Sequence, residues 1–191
     1  MSWMPRYLGA LTVLLLLGMV LTRVALLKRR GITAMKFGEI DRTDFLIPPF
    51  AFFYFYLIFA NAFDWPTVSR AQFFHAPWVA WAGVLLCATG LLVLCLSLIS
   101  FGASFRVGID ADRPDALVTS GIFAVTRNPM YVAFGFVLLG EFLIAPSWIP
   151  LIYLFAGIAL FHRQVLREEA YLRTHYGQEY QAYSQRVGRY L

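Results

Sequence analysis

Five apolar runs dominate what this chain can become: Tyr7 to Leu27, Phe45 to Phe63, Trp78 to Phe101, Met130 to Ala145 and Trp148 to His162. A hydrocarbon core about 30 Å thick takes roughly 20 helical residues to cross. Only a helix or a closed barrel satisfies every backbone polar group on the way. With 60% apolar, 17% aromatic and 14% charged residues in a length of 191, too little polar surface remains to coat a water-soluble domain. The expected fold is therefore all-α, an integral membrane helical bundle of about five transmembrane segments. Pro48-Pro49 should bend or delay the second run. The fourth covers only about 24 Å at 1.5 Å per residue, and Pro146-Ser147 turns the chain straight into the fifth. The last two runs are read as a short helical hairpin.

The cations orient this bundle. If the N-terminus lies outside, all of the 16 Lys and Arg residues except Arg6 and Arg70 fall in inner segments, a strong positive-inside pattern. Lys28-Arg29-Arg30 follows the first run instead of preceding it, which marks an anchor and not a cleaved leader. Arg23, near the end of that run, can snorkel to the headgroups. The net charge of +5 needs no nucleic-acid partner, since no basic soluble domain or nucleic-acid motif accompanies it. The expectation is one membrane domain over 1–191, with three transmembrane helices in 1–101 and the chemistry in 102–191, which ends in a cytosolic helical tail. A multi-pass protein of a bacterial inner membrane, its C-terminus and site on the cytosolic side, fits this pattern.

Several chemistries lack their residues. Cys87 and Cys95 read as small apolar side chains buried in the third helix. His75, His162 and His175 have no metal-ligand spacing, so no metal site is expected. There is no G-x-G-x-x-G and no phosphate loop. Asp110, Asp112, Arg113 and Asp115, in a loop that also carries Arg106, read as a connector of mutually neutralising charges. Arg127-Asn128-Pro129 differs, because Pro129 disfavours helix at Asn128 yet suits the first turn of the following helix. A guanidinium beside a helix N-terminus is a place for an anion such as a carboxylate. Further on, Glu168 and Glu169 project about 100° apart on a continuing helix, in a tail interleaved with Tyr171, Tyr176, Tyr180, Tyr183 and Tyr190. Glu141, well inside the fourth run, is an intramembrane carboxylate whose role is open.

Gly121-Ile-Phe-Ala-Val-Thr-Arg-Asn-Pro-Met-Tyr131, then Glu168-Glu169, then Tyr176-Gly177-Gln178-Glu179-Tyr180 resemble G-x-Y-x-x-x-R-H-P-x-Y, E-E and F-G-x-E-Y-x-x-Y. This is the wording of the isoprenylcysteine carboxyl methyltransferase family and its phospholipid methyltransferase relatives. The resemblance covers roughly residues 101 to 191. It implies an S-adenosylmethionine-dependent methyltransferase acting on a lipophilic substrate that enters from the bilayer, with membrane lipids around it. It also implies that Arg127, Asn128, Pro129 and Tyr131 form one wall of the cofactor site and Glu168 and Glu169 the other, with Gly121 and Tyr180 as further cofactor-binding candidates. Arg163, Arg167 and Glu169 are the catalytic candidates. Asn128 stands where the family carries His, Phe123 where it carries Tyr, and Gln164 where several members carry an Arg acting on the acceptor carboxylate, a task Arg163 or Arg167 would have to take over. Methylation of a phospholipid amine or a small thiol, a non-enzymatic membrane subunit, and a sterol-type reductase stay open as alternatives. So does the oligomeric state.

Overall fold

The computed structural model describes residues 3–29, 47–66, 71–102 and 117–191. The connector charges Arg106, Asp110, Asp112, Arg113 and Asp115, the cations Arg30, Lys36, Arg42 and Arg70, and the expected start of the second run at Phe45 lie outside them. The regular elements among the described residues are α1 (Met4–Arg29), α2 (Ile47–Ala62), α3 (Pro77–Phe101), a single 3-10 turn (Gly121–Ala124), α4 (Pro129–Ile144), α5 (Trp148–Tyr176) and α6 (Gln178–Arg186). The all-helical membrane bundle is borne out. α1, α3 and α5 are long and apolar enough to cross a bilayer, whereas α2 and α4 are shorter apolar helices. α5 runs unbroken from the apolar run into the polar tail, so the two glutamates share a rigid rod with a membrane segment.

Prolines and glycines set the ends. Pro77 and Pro129 occupy the first turns of α3 and α4, where a missing N–H costs nothing. Gly177 closes α5 at φ +52°, a left-handed conformation that is cheap only for glycine, and lets α6 turn back beneath the end of the bundle.

α3 and α4 form the central pair. Gly83, Cys87, Gly90, Leu94 and Ser97 are buried at alternating steps of four and three, a narrow seam on one side of α3. Across it, a methyl group on Gly140 would stand 2.6 Å from both the Gly83 carbonyl oxygen and the Cys87 sulfur, and one on Gly90 would stand 2.8 Å from the Ala133 carbonyl oxygen. The two backbones pack directly on each other, as small residues permit where lipid supplies no hydrophobic drive. Cys95 departs from expectation: it lies off this seam and is exposed on the outer surface of the pair, while Cys87 is buried.

The two ends of the bundle differ. Trp3, Trp65, Trp78, Trp81 and Trp148 all lie at or near the end where α1, α3 and α5 begin and α2 finishes, and all are well exposed. Ring contacts from Tyr7 to Phe63 and from Phe73 to Trp148, and the hydrogen bond from the Phe73 amide to the Pro146 carbonyl, tie these helix ends together. At the opposite end Arg23 donates to the Gly102 carbonyl. It therefore sits at the negative pole of α3 instead of simply reaching toward headgroups. Phe101 meets Phe123 edge-on with centroids 4.6 Å apart, which seats the 3-10 turn on the same end.

Candidate active site

The chain between the 3-10 turn and α4 is held by residues some sixty positions later. Thr126 and Gly188 form a parallel bridge. The Arg127 amide donates to the Gly188 carbonyl at 3.0 Å, and the Thr126 hydroxyl donates to the Arg189 carbonyl at 3.3 Å. Tyr183 on α6 donates to the Phe123 carbonyl at 2.7 Å, and burial pushes its phenol up to about 12. His162 on α5 and Tyr190 lie 2.7 Å apart through Nδ1 and the hydroxyl.

Glu169 is the centre of this junction. Its carboxylate, 3% exposed, takes the Arg127 guanidinium at 3.2 Å, the Asn128 amide at 3.2 Å and a two-pronged contact from Arg189 at 2.9 to 3.1 Å. Glu169 in turn holds Arg189 above its usual pKa through these hydrogen bonds, so Arg189 stays cationic. Glu169 is one of the catalytic candidates that the sequence offers in the C-terminal tail. Helical spacing aligns it with Val165, which is fully buried, and donors from Arg127, Asn128 and Arg189 surround its oxygens. In this setting Glu169 joins Arg127, Asn128 and Arg189 as a clamp.

Glu168, one position earlier, points into a separate group. It accepts from the Tyr131 hydroxyl at 2.5 Å and from the Gln164 amide at 3.2 Å, with Tyr131 near the Phe134 and Phe161 rings. Glu168, Gln164 and Tyr131 thus form a polar cluster where α4 and α5 leave the apolar layer. Arg163 and Arg167 share another row of α5, Arg163 exposed and Arg167 half-buried.

The remaining candidates divide by role. Asn128 is buried at φ −129° and ψ 54°, so the backbone is non-helical before Pro129, yet its side chain caps no helix and instead bridges Glu169 to the Arg189 carbonyl at 3.1 Å. Pro129 is fully buried at the start of α4. Gly121 is exposed at φ +63° with its α-carbon against Ser100, and serves the turn. Tyr180 is 1% exposed, its ring 6.0 Å from the Arg127 guanidinium carbon. Arg189, Thr126 and Tyr183 had not been singled out for the site. For Tyr183 the signal was present in the E-Y-x-x-Y spacing; for Arg189 it was only a late arginine near the end of the chain.

Two buried polar atoms at the junction have no partner among the described residues, the Tyr180 hydroxyl and the Arg127 Nε. Burying such groups unpaired is costly, and both lie next to the Glu169 clamp. Donors, a helix N-terminus, a second carboxylate and aromatic faces are thus gathered at one end of a membrane bundle.

A polytopic membrane protein with its polar site at one mouth of the bundle is the class that this fold and site define. The chain belongs to the phospholipid methyltransferase family, whose model matches residues 78–179, from α3 to the start of α6. Among curated proteins it is similar to Protein-S-isoprenylcysteine O-methyltransferase of Tribolium castaneum, 30% identical over 115 residues, which is 58% of this chain and 41% of that protein. Its namesake from Rattus norvegicus is 25% identical over 126 residues, 64% of this chain and 43% of the relative. That of Schizosaccharomyces pombe is 30% identical over 94 residues, 48% and 40%. The chain thus spans about two fifths of the length of the curated relatives it matches.

Proposed function

We propose that this chain is a membrane methyltransferase that takes its methyl group from S-adenosylmethionine and delivers it to a lipophilic acceptor. The observation that carries the reading is the convergence of Arg127-Asn128-Pro129 with the tail at Glu169, within a chain of this family. The residues fit such a donor. The unpartnered Arg127 Nε and the first turn of α4 suit its carboxylate, and the buried Tyr180 hydroxyl suits a ribose or adenine edge. When bound, S-adenosylmethionine supplies an electrophilic methyl on a sulfonium sulfur.

The chain's own contribution is alignment and electrostatics. The Glu169 clamp fixes Arg127 on the α4 start, and Glu168, held by Tyr131 and Gln164, presents negative charge toward a sulfonium. The acceptor approaches along the apolar faces of α4 and α5, its chain left in the bilayer and its head at Glu168. Gln164 bonded to Glu168, where an arginine would offer a charge to a carboxylate, favours acceptors other than a prenylated cysteine carboxylate. The N-terminus is placed outside and the site on the cytosolic side, as the cations direct; a bacterial inner membrane is the proposed location. Label transfer from S-adenosylmethionine to matched micellar carboxylates, amines and thiols tests the reading. We expect transfer to an alkyl-chain acceptor and little to a farnesylcysteine analogue. Transfer to none of them, or equal transfer to acceptors lacking any alkyl chain, overturns it.

A further inference from the structure

A cavity at the tryptophan end lies outside the site above. It holds about 270 Å³ between α2, the α4–α5 turn and the start of α1. Arg6, Asn61, Asp64, Gln72 and His75 line it on its more exposed side, and Tyr54 and Glu141 are its buried polar residues. Tyr54 is 8% exposed and its hydroxyl has no hydrogen-bond partner. Glu141 is 5% exposed, and among the described residues the donor to its carboxylate is the Cys87 thiol, whose sulfur is 3.9 Å from Oε1. Gly9 of α1 makes room for that carboxylate, because a methyl there would stand 2.6 Å from Oε2. A carboxylate taken out of water needs a proton or a counter-charge, and none of the described cavity residues pairs with it.

The chemistry of the occupant follows. Glu141 repels an anion, and a neutral alcohol answers its hydrogen bonding but not its charge. A primary ammonium brings both the charge and three donors, enough for the carboxylate and the Tyr54 hydroxyl together. Of the two charged residues on the more exposed side, Asp64 adds to the attraction for that ammonium and Arg6 favours an anionic group next to it. We propose that this cavity is a binding site for a primary ammonium carried next to an anionic group, seated between Glu141 and Tyr54. Glu141 lies twelve residues beyond Pro129 on α4, about 18 Å away, so this site is separate from the candidate active site and does not rest on the methyltransferase reading.

The test uses the full chain in detergent, with thermal unfolding followed while phosphoethanolamine is titrated against glycerol phosphate, which has the anion but no ammonium. In parallel, discs containing phosphatidylethanolamine are compared with discs containing phosphatidylglycerol. The proposal expects a saturable rise in unfolding temperature with the ammonium-bearing probe only, weakened at least tenfold by Glu141→Gln and several-fold by Tyr54→Phe. A response to the soluble probe assigns the site to the headgroup chemistry alone, and a response only in discs assigns it to the lipid; both support it. Binding of S-adenosylhomocysteine should be unchanged in Glu141→Gln. Should that variant fail to purify as a single species, Tyr54→Phe, which removes only an unpartnered hydroxyl, decides. Equal response to both anions, no response to either ammonium probe, or a response unchanged by the substitutions overturns the proposal.

Discussion

Arg127, Asn128 and Arg189 reach one carboxylate from two segments of chain, and the consequences differ for each donor. Arg127 has a side chain only 10% exposed, so removing its counter-charge strands a buried cation; Arg189 at 36% keeps its water. Glu169→Gln should therefore destabilise the protein by about 3 kcal/mol, the scale of a broken buried pair, almost all of it at Arg127. A thermal melt of the purified variant checks this, and an unchanged midpoint would remove Glu169 from its clamping role. Glu168→Gln should behave oppositely: it keeps acceptor capacity toward Tyr131, so the melt should stay near wild type while methyl transfer falls at least tenfold. The residue types of this site were legible in the sequence, because Arg-Asn-Pro and adjacent glutamates are rare at the edge of an apolar run. Which glutamate was buried was not legible, since it depends on which row of α5 faces the 3-10 turn, and that is settled by packing far along the chain.

Among the elements, α3 and α4 carry the bundle and the C-terminal strand of residues carries the site. Gly140→Ala gains up to about 1 kcal/mol in helix propensity. It also drives a methyl into the Gly83 carbonyl and the Cys87 sulfur, a clash that costs more, typically 1–3 kcal/mol, so net destabilisation is expected in a detergent melt. Stability equal to or above wild type would contradict the direct backbone packing of the pair. Ending the chain after Arg186 removes Gly188 and Arg189, hence the bridge to Thr126 and the second arm on Glu169. The truncated protein should keep its helix content by circular dichroism yet lose affinity for S-adenosylhomocysteine. The helices themselves were readable from run length, and the α4–α5 hairpin from Pro146-Ser147. The glycine seam was overlooked because three glycines in two apolar runs carry no pattern until the helices are paired. The return of residues 187–190 to the 3-10 turn has no local signature at all.

Across the whole molecule, tryptophans gather at one end and the paired arginines at the other, the arrangement of a bundle set across a bilayer with one interfacial aromatic rim. In a background lacking Cys95, cysteines placed at Ala71 and Gln178 should label from opposite sides, with Ala71 reached from outside; labelling of both from one side would refute the orientation. The central claim is that the Arg127–Glu169 junction holds the methyl donor. Calorimetric titration of S-adenosylhomocysteine into the full chain, compared with Arg127→Ala, tests it most directly. The account predicts saturable binding by the wild type and a loss of about 2 kcal/mol, the value of a charge-assisted contact, in a variant that remains monodisperse. Wild-type protein that binds nothing, or a folded Arg127→Ala variant with an unchanged dissociation constant, would contradict it.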